Sequence, residues 1–259
     1  MLEVALLEVR GLARSFYGVQ AVRGVDLDVE AGRITGLIGP NGAGKTTVFN
    51  CVSGVVPPDA GGIRFDGRDI AGWRPDRVTQ AGLARTFQIA RGFPQLTVLE
   101  NLMLYGRDQR GEGVMAAMFA RSLVARQEDE LRERALAVAH RLSLMPVIDN
   151  LAAELSGGQK KLLEIGRALM ANPKLILLDE PVAGVNPSLA KEIEGRLRGL
   201  VAEGLSILLI EHHMDTIAQL CDQVIVLAQG TNLAAGTFTQ IANDARVQEA
   251  YMGHRRWSA

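Results

Sequence analysis

The sequence predicts an α/β fold: a mostly parallel central sheet with an antiparallel β part, plus an inserted α-helical subdomain. Three observations lead there. Short runs of β character alternate with longer helical stretches. The runs at 175–178, 206–210 and 224–227 are continuously apolar, as strands covered on both faces are. Between about Ile89 and Ala171 no convincing strand pattern occurs, so a helical block interrupts the α/β alternation.

In chain order, 6–9, 25–29, 33–38 and 63–65 read as early strands. Val25-Asp26-Leu27-Asp28-Val29 alternates strictly, the mark of a half-exposed antiparallel strand. A helix is expected over 47–52. The stretch 123–142 is Ala-rich and charged; its mixed signs (Glu128, Asp129, Glu130, Arg132, Glu133, Arg134) describe a solvated helix face. Ser156 is a good N-cap for a strong helix former running to 171. No internal repeat or low-complexity tract is present.

Composition narrows the function classes. With 259 residues, 47% apolar and 22% charged, the chain can bury a core without disulfides, and disorder is excluded. The 28 basic residues nearly cancel the 29 acidic ones, leaving −1, so there is no footprint for nucleic acid. Cys51 and Cys221 lie far apart and lack metal-ligand spacing, which points to buried inert thiols in a reducing compartment. No apolar run approaches the ~20 residues of a membrane span. No basic-then-apolar N-terminal segment marks a secretion signal. Any membrane role is therefore expected to act through a partner.

Gly39-Pro40-Asn41-Gly42-Ala43-Gly44-Lys45-Thr46 follows a strand and opens a helix at Thr47, the context in which a glycine-rich loop cradles phosphate. Glycines let successive N–H groups turn inward, and the helix adds its positive end. Lys45 is placed to reach β- and γ-phosphates and Thr46 to ligate Mg²⁺. The loop alone does not choose among kinases, GTPases, motors and transport ATPases.

The apolar run 175–178 ends in Asp179-Glu180-Pro181. Ligands bind at the carboxyl ends of parallel strands, so both acids should emerge near the phosphates. Neighbouring side chains alternate, so one acid can serve the metal and the other the attacking water. Asp179 is the metal-side choice and Glu180 the candidate for polarising water.

Leu155-Ser156-Gly157-Gly158-Gln159, shortly before those acids, decides among the classes. With it the chain resembles the ATP-binding cassette (ABC) ATPases from about Leu6 to Gly253. The resemblance implies a P-loop NTPase core of RecA-like type (1–88 and 172–259, with the antiparallel β part and C-terminal tail). It also implies a helical signature subdomain over 89–171, so that 1–259 is one ABC ATPase domain. It implies ATP and Mg²⁺ as cofactors and a head-to-tail dimer. There, 39–46 of one chain, with Thr47, faces Ser156, Gly157, Gly158 and Gln159 of the other. Tyr17 would stack on adenine, with Phe16 as competitor. Gln88 would contact Mg²⁺ and water, and His212 the γ-phosphate, with His213 ranked behind it. One motif departs: Ala183-Gly184-Val185-Asn186 stands where many members have Ser-Ala-Leu-Asp, and Asn186 supplies no charge.

Further segments narrow the branch: Ala84-Arg85-Thr86-Phe87-Gln88, then Phe93-Pro94-Gln95-Leu96-Thr97-Val98-Leu99-Glu100-Asn101, and the tail Gln248-Glu249-Ala250-Tyr251-Met252-Gly253. Together with a long 106–126 stretch they resemble ATPase subunits of bacterial and archaeal importers for branched-chain (hydrophobic) amino acids. Urea or amide importers and lipopolysaccharide exporters look similar. A soluble ABC protein acting on ribosomes or DNA is disfavoured by the single cassette and neutral charge. The importer reading implies ATP hydrolysis coupled to transport and a homodimer, or a heterodimer with a paralogous cassette. It further implies two transmembrane permease subunits, a solute-binding protein reached through them, and a peripheral place on the cytoplasmic face of the inner membrane. Met115, Met118, Phe119 and Leu123 form a stripe at helical spacing that either packs the subdomain or faces a membrane subunit. Arg255, Arg256 and Trp257 read as a frayed tail.

Overall fold

The computed structural model describes residues 5–86, 93–106 and 121–252, with backbone only at 121–125 and at 252. Gln88, Phe87, Met115, Met118, Phe119, the Leu123 side chain and the 253–259 tail lie outside the described residues. The chain divides into two compact units. One comprises Met1–Arg85, Lys174–Pro181 and Leu197–Ala259; the other comprises Thr86–Pro173 and Val182–Arg196.

The first unit holds both sheets. In one, β1 (Leu7–Phe16) pairs antiparallel with β2 (Val19–Val29) and β4 (Ala60–Phe65), and β4 with β5 (Arg68–Asp69). The other has the order β10-β9-β3-β8-β7-β6. Here β3 (Ile34–Ile38) pairs in parallel with β8 (Ser206–Ile210) and with β9 (Gln223–Ala228). β7 (Leu175–Asp179) pairs in parallel with β8 and with β6 (Leu83–Arg85); only β10 (Thr231–Gly236) runs antiparallel. Every residue of β3, β7 and β8 is buried, as in strands covered on both faces.

The apolar core fills in behind the phosphate loop. Phe49 and Val48 of helix α1 (Lys45–Val52) join Leu37, Leu177 and Leu208 with Val9, Ile63 and Phe65 of the antiparallel sheet. α1 begins at Lys45, two residues before the expected Thr47, because Gly44 supplies a left-handed N-cap. Helix α2 (Pro75–Ala81) leads into β6.

The second unit is helical. It contains α3 (Val98–Leu104), α4 (Arg121–Arg141), α5 (Gly157–Leu169) and the start of α6 (Pro187–Ala202). Among the described residues from Phe93 to Pro173 the β pairing is one bridge, Thr97 to Leu151. In α4 the expected solvated face is present: Glu128, Asp129, Glu130, Arg132, Glu133 and Arg134 are exposed, while Leu131, Ala135, Val138 and Ala139 are buried. Asn101 is fully buried and donates to the carbonyls of Phe93, Leu96 and Thr97, which ties the preceding turn to the start of α3. Helices α7 (Met214–Leu220), α8 (Phe238–Ala242) and α9 (Ala245–Met252) complete the first unit.

Candidate functional site

The loop after β3 is shaped by glycine at three positions. Gly39, Gly42 and Gly44 have φ of 147°, 79° and 97°. At Gly39 a Cβ would sit 2.1 Å from the Leu227 carbonyl oxygen, and at Gly44 one would sit 2.6 Å from that of Ala21. Backbone packs where side chains would be, and the loop curls over the start of α1. No side chain caps that helix, so its first N–H groups remain available to an anion. Thr46 is exposed, Thr47 partly buried, and Asn41 and Gly42 face solvent.

Lys45 is folded back into this loop. Its ammonium donates to the Gly39 carbonyl at 2.7 Å and the Pro40 carbonyl at 3.0 Å. Burial lowers its pKa, against the pull of Glu180 and then Asp179. That coupling brings the sequence-predicted lysine and both acids to one place.

Asp179 and Glu180 part as side-chain alternation requires. Asp179 ends β7 with its side chain almost wholly buried, 3.5 Å from the Arg85 guanidinium. Burial raises its pKa; Arg85 opposes this and Glu180 adds to it. Glu180 has φ +51°, and its N–H donates to the Ile210 carbonyl at 2.9 Å. This left-handed turn presents the carboxylate to His212, whose Nε2 lies 2.9 Å from Glu180 Oε1. His213 faces elsewhere: its Nδ1 is 3.2 Å from Glu211, a fully buried carboxylate that also accepts the His212 N–H at 3.1 Å. Of the two histidines, His212 is the one that faces Glu180.

Tyr17 is fully exposed at the β1–β2 turn, with φ +49°, so packing in the core does not account for it. Phe16 is engaged instead, with the Arg14 guanidinium 4.9 Å from its ring centroid.

The signature segment lies in the second unit. The exposed Ser156 hydroxyl accepts the Gln159 N–H at 3.3 Å, while Gln159 Oε1 accepts the Ser156 N–H at 2.9 Å, a reciprocal capping box. Gly158 is buried against Leu189, whose side chain would lie 2.0 Å from an added Cβ, whereas at Gly157 a Cβ would meet nothing within 4 Å. Asn186 Oδ1 accepts the Leu189 N–H at 2.9 Å and caps α6. The Asn186 side chain is thus employed within its own chain.

Three residues here had no assigned role in the sequence reading. Arg85 and Tyr251 served there only as branch markers, and Glu211 was given no part. The Gly39 N–H donates to the Tyr251 hydroxyl on α9; burial pushes that phenol up to about 12 and the Gly39 bond works against the rise. Gly39 is therefore held at both ends, its carbonyl by Lys45 and its N–H by α9. Both free thiols, Cys51 and Cys221, are buried and pushed up by desolvation to about 11 and about 12, as inert thiols should be.

Comparison with known proteins sets this geometry in a family. Residues 22–183 match the family described as ABC transporter. The chain is 40% identical over 248 residues to the probable branched-chain amino acid transport ATP-binding protein LivG of Archaeoglobus fulgidus, covering 96% of this chain and 95% of that protein. It is 39% identical over 249 residues to the high-affinity branched-chain amino acid transport ATP-binding protein BraF of Pseudomonas aeruginosa, covering 96% and 98%. Among solved structures it resembles MJ1267, an ATP-binding cassette of an ABC transporter in its ADP conformation. The TM-score is 0.84, with 36% identity over 96% of this chain and 99% of that one. Likeness of this extent, in sequence and in fold at once, places the chain in the ABC transporter family as one of its ATP-binding cassettes.

Proposed function

We propose that this chain is the ATP-binding and hydrolysing subunit of an importer for branched-chain or other hydrophobic amino acids. The names of its LivG and BraF relatives support the substrate class. The observation that carries the hydrolytic reading is the 2.9 Å approach of His212 to Glu180, beside a lysine coupled to both acids.

ATP binds with its phosphates against the loop amides and the N-terminus of α1. Lys45 exchanges the carbonyls of Gly39 and Pro40 for the β- and γ-phosphate oxygens, which return a full counter-charge to a partly desolvated ammonium. Tyr17, already in solvent, offers its ring to adenine. Glu180 accepts a hydrogen bond from the attacking water and orients it in line, and His212, beside Glu180, donates toward the transferring phosphoryl group.

The donor set fits Mg²⁺. A hydroxyl at an exposed helix start (Thr46) and a carboxylate at a strand end (Asp179) are hard oxygen ligands, and Gln88 is a further candidate. Among the described residues no group of three or more His, Cys, Asp or Glu converges as an all-protein cage would require. Bound there, Mg²⁺ would neutralise charge on the β- and γ-oxygens.

A capped, exposed Ser156 tip is what a second cassette's γ-phosphate needs to close a head-to-tail dimer. The partner is a second copy or a paralogue, and the pair is proposed to drive two permease subunits supplied by a solute-binding protein. No helix among the described residues is long and apolar enough to cross a membrane. The cassette is therefore proposed to sit peripherally on the cytoplasmic face through those permeases.

Glu180→Gln tests the hydrolytic reading. ATP should drive the variant into a stable dimer while phosphate release falls by roughly 10²-fold or more; normal turnover refutes the assignment. Uptake of labelled leucine by vesicles holding the chain with its permeases tests the solute. Uptake of urea instead of leucine would move the chain to another branch.

A further inference from the structure

Arg85 closes β6 and reaches two other elements of the first unit. Its Nη1 donates to Asn50 Oδ1 at 2.6 Å and to Ser53 Oγ at 3.2 Å. Its Nη2 lies 3.5 Å from Asp179 Oδ2, and the guanidinium carbon is 5.6 Å from the Phe49 ring centroid. Phe49 and Asn50 belong to α1, Ser53 is its C-cap, and Asp179 ends β7. A buried guanidinium is costly unless it is bonded, and here its two Nη groups are spent on two elements at once. α1 begins with Lys45 and Thr46, so the elements joined are those that carry Thr46 and Asp179. A planar fork spans such a gap; a single ammonium does not.

We propose that Arg85 is a positioning residue, a guanidinium strut that fixes the spacing between the helix bearing Thr46 and the strand bearing Asp179. This rests on the reading above that those two side chains hold Mg²⁺. Outer partners of metal-ligating carboxylates typically govern metal affinity by about 10–100-fold. The strut acts on the metal-linked part of nucleotide binding and leaves the glycine loop alone.

Affinity for a fluorescent ATP analogue, measured in excess Mg²⁺ and in EDTA, separates the two parts. Arg85→Lys keeps a charge near Asp179 but loses the fork. Asn50→Ala keeps Arg85 beside Asp179 but removes the shorter of its two hydrogen bonds to the α1 end. In both variants the Mg²⁺-to-EDTA affinity ratio should drop, by about tenfold or more for Arg85→Lys, with the EDTA affinity changed less than about twofold. An unchanged ratio in the two variants overturns the strut, as does an equal loss under both conditions. If Arg85→Lys does not fold by thermal unfolding, Asn50→Ala decides alone. Asp179→Asn distinguishes the premises. If that variant retains the full Mg²⁺ preference, the Mg²⁺ assignment fails; if it loses the preference while Arg85→Lys keeps it, only the strut fails.

Discussion

Alanine at three glycines of one loop should give three different penalties, because the space around each differs while the backbone demand is shared. Gly42 has φ 79° and nothing within 4 Å of an added Cβ. An L-residue there costs ~1–2 kcal/mol for the left-handed backbone. The stiffer unfolded chain returns ~0.4–1 kcal/mol, so Gly42→Ala should lose between about 0 and 1.6 kcal/mol. Gly44 has φ 97° and places the new Cβ 2.6 Å from the Ala21 carbonyl oxygen, an atom fixed in β2. Overpacking of this kind adds ~1–3 kcal/mol, giving about 1–4.6 kcal/mol in all. Gly39, at φ 147° and 2.1 Å from the Leu227 carbonyl oxygen, should lose more still. Urea unfolding without nucleotide reads these differences as midpoint shifts at constant slope and avoids ligand linkage. Equal losses at Gly42 and Gly44, or the reverse order, would refute the claim that close backbone approach selects glycine at 39 and 44.

Other positions separate stability from function. His212→Ala should lower ATP hydrolysis by roughly 10²-fold or more, whereas His213→Ala, which turns toward Glu211, should retain most of it; steady-state phosphate release distinguishes them. Gly157→Ala lies at the open start of α5. It should leave the melting temperature unchanged or raised, by up to about 1 kcal/mol in stability, yet weaken ATP-driven dimerisation seen by light scattering. Tyr251→Phe removes the hydroxyl that accepts from Gly39. ATP affinity should fall by roughly 2–10-fold, as expected for one hydrogen bond, with hydrogen exchange speeding up at the loop.

The chemistry was legible in the sequence where it is local. The 39–46 loop, the acids after β7 and the capped helix at Ser156 are contiguous motifs, and the structure places each at the element end expected. The buried strands β7, β8 and β9 were readable because unbroken apolar runs have few other fates. β6 escaped notice because three residues carry no period, and β10 because Thr231-Asn232-Leu233-Ala234-Ala235-Gly236 has weak strand propensity and pairs only at an edge. β1 and β2 run longer than their apolar cores since register shifts break the alternation near Leu12 and Arg14. Arg85 and Tyr251 were unreadable as site residues for a different reason. Their partners, Asn50 and Asp179 for one and Gly39 for the other, lie far along the chain, and only folding brings them together.

The left-handed backbone at Glu180 has an evolutionary consequence. A glycine in its place would relax a conformation that L-residues resist by ~1–2 kcal/mol, so the fold would gain by surrendering the acid proposed above to orient the attacking water. Durability and work pull opposite ways at this one codon. A library screened for heat resistance alone should drift toward sturdy, idle cassettes, and the drift should begin there.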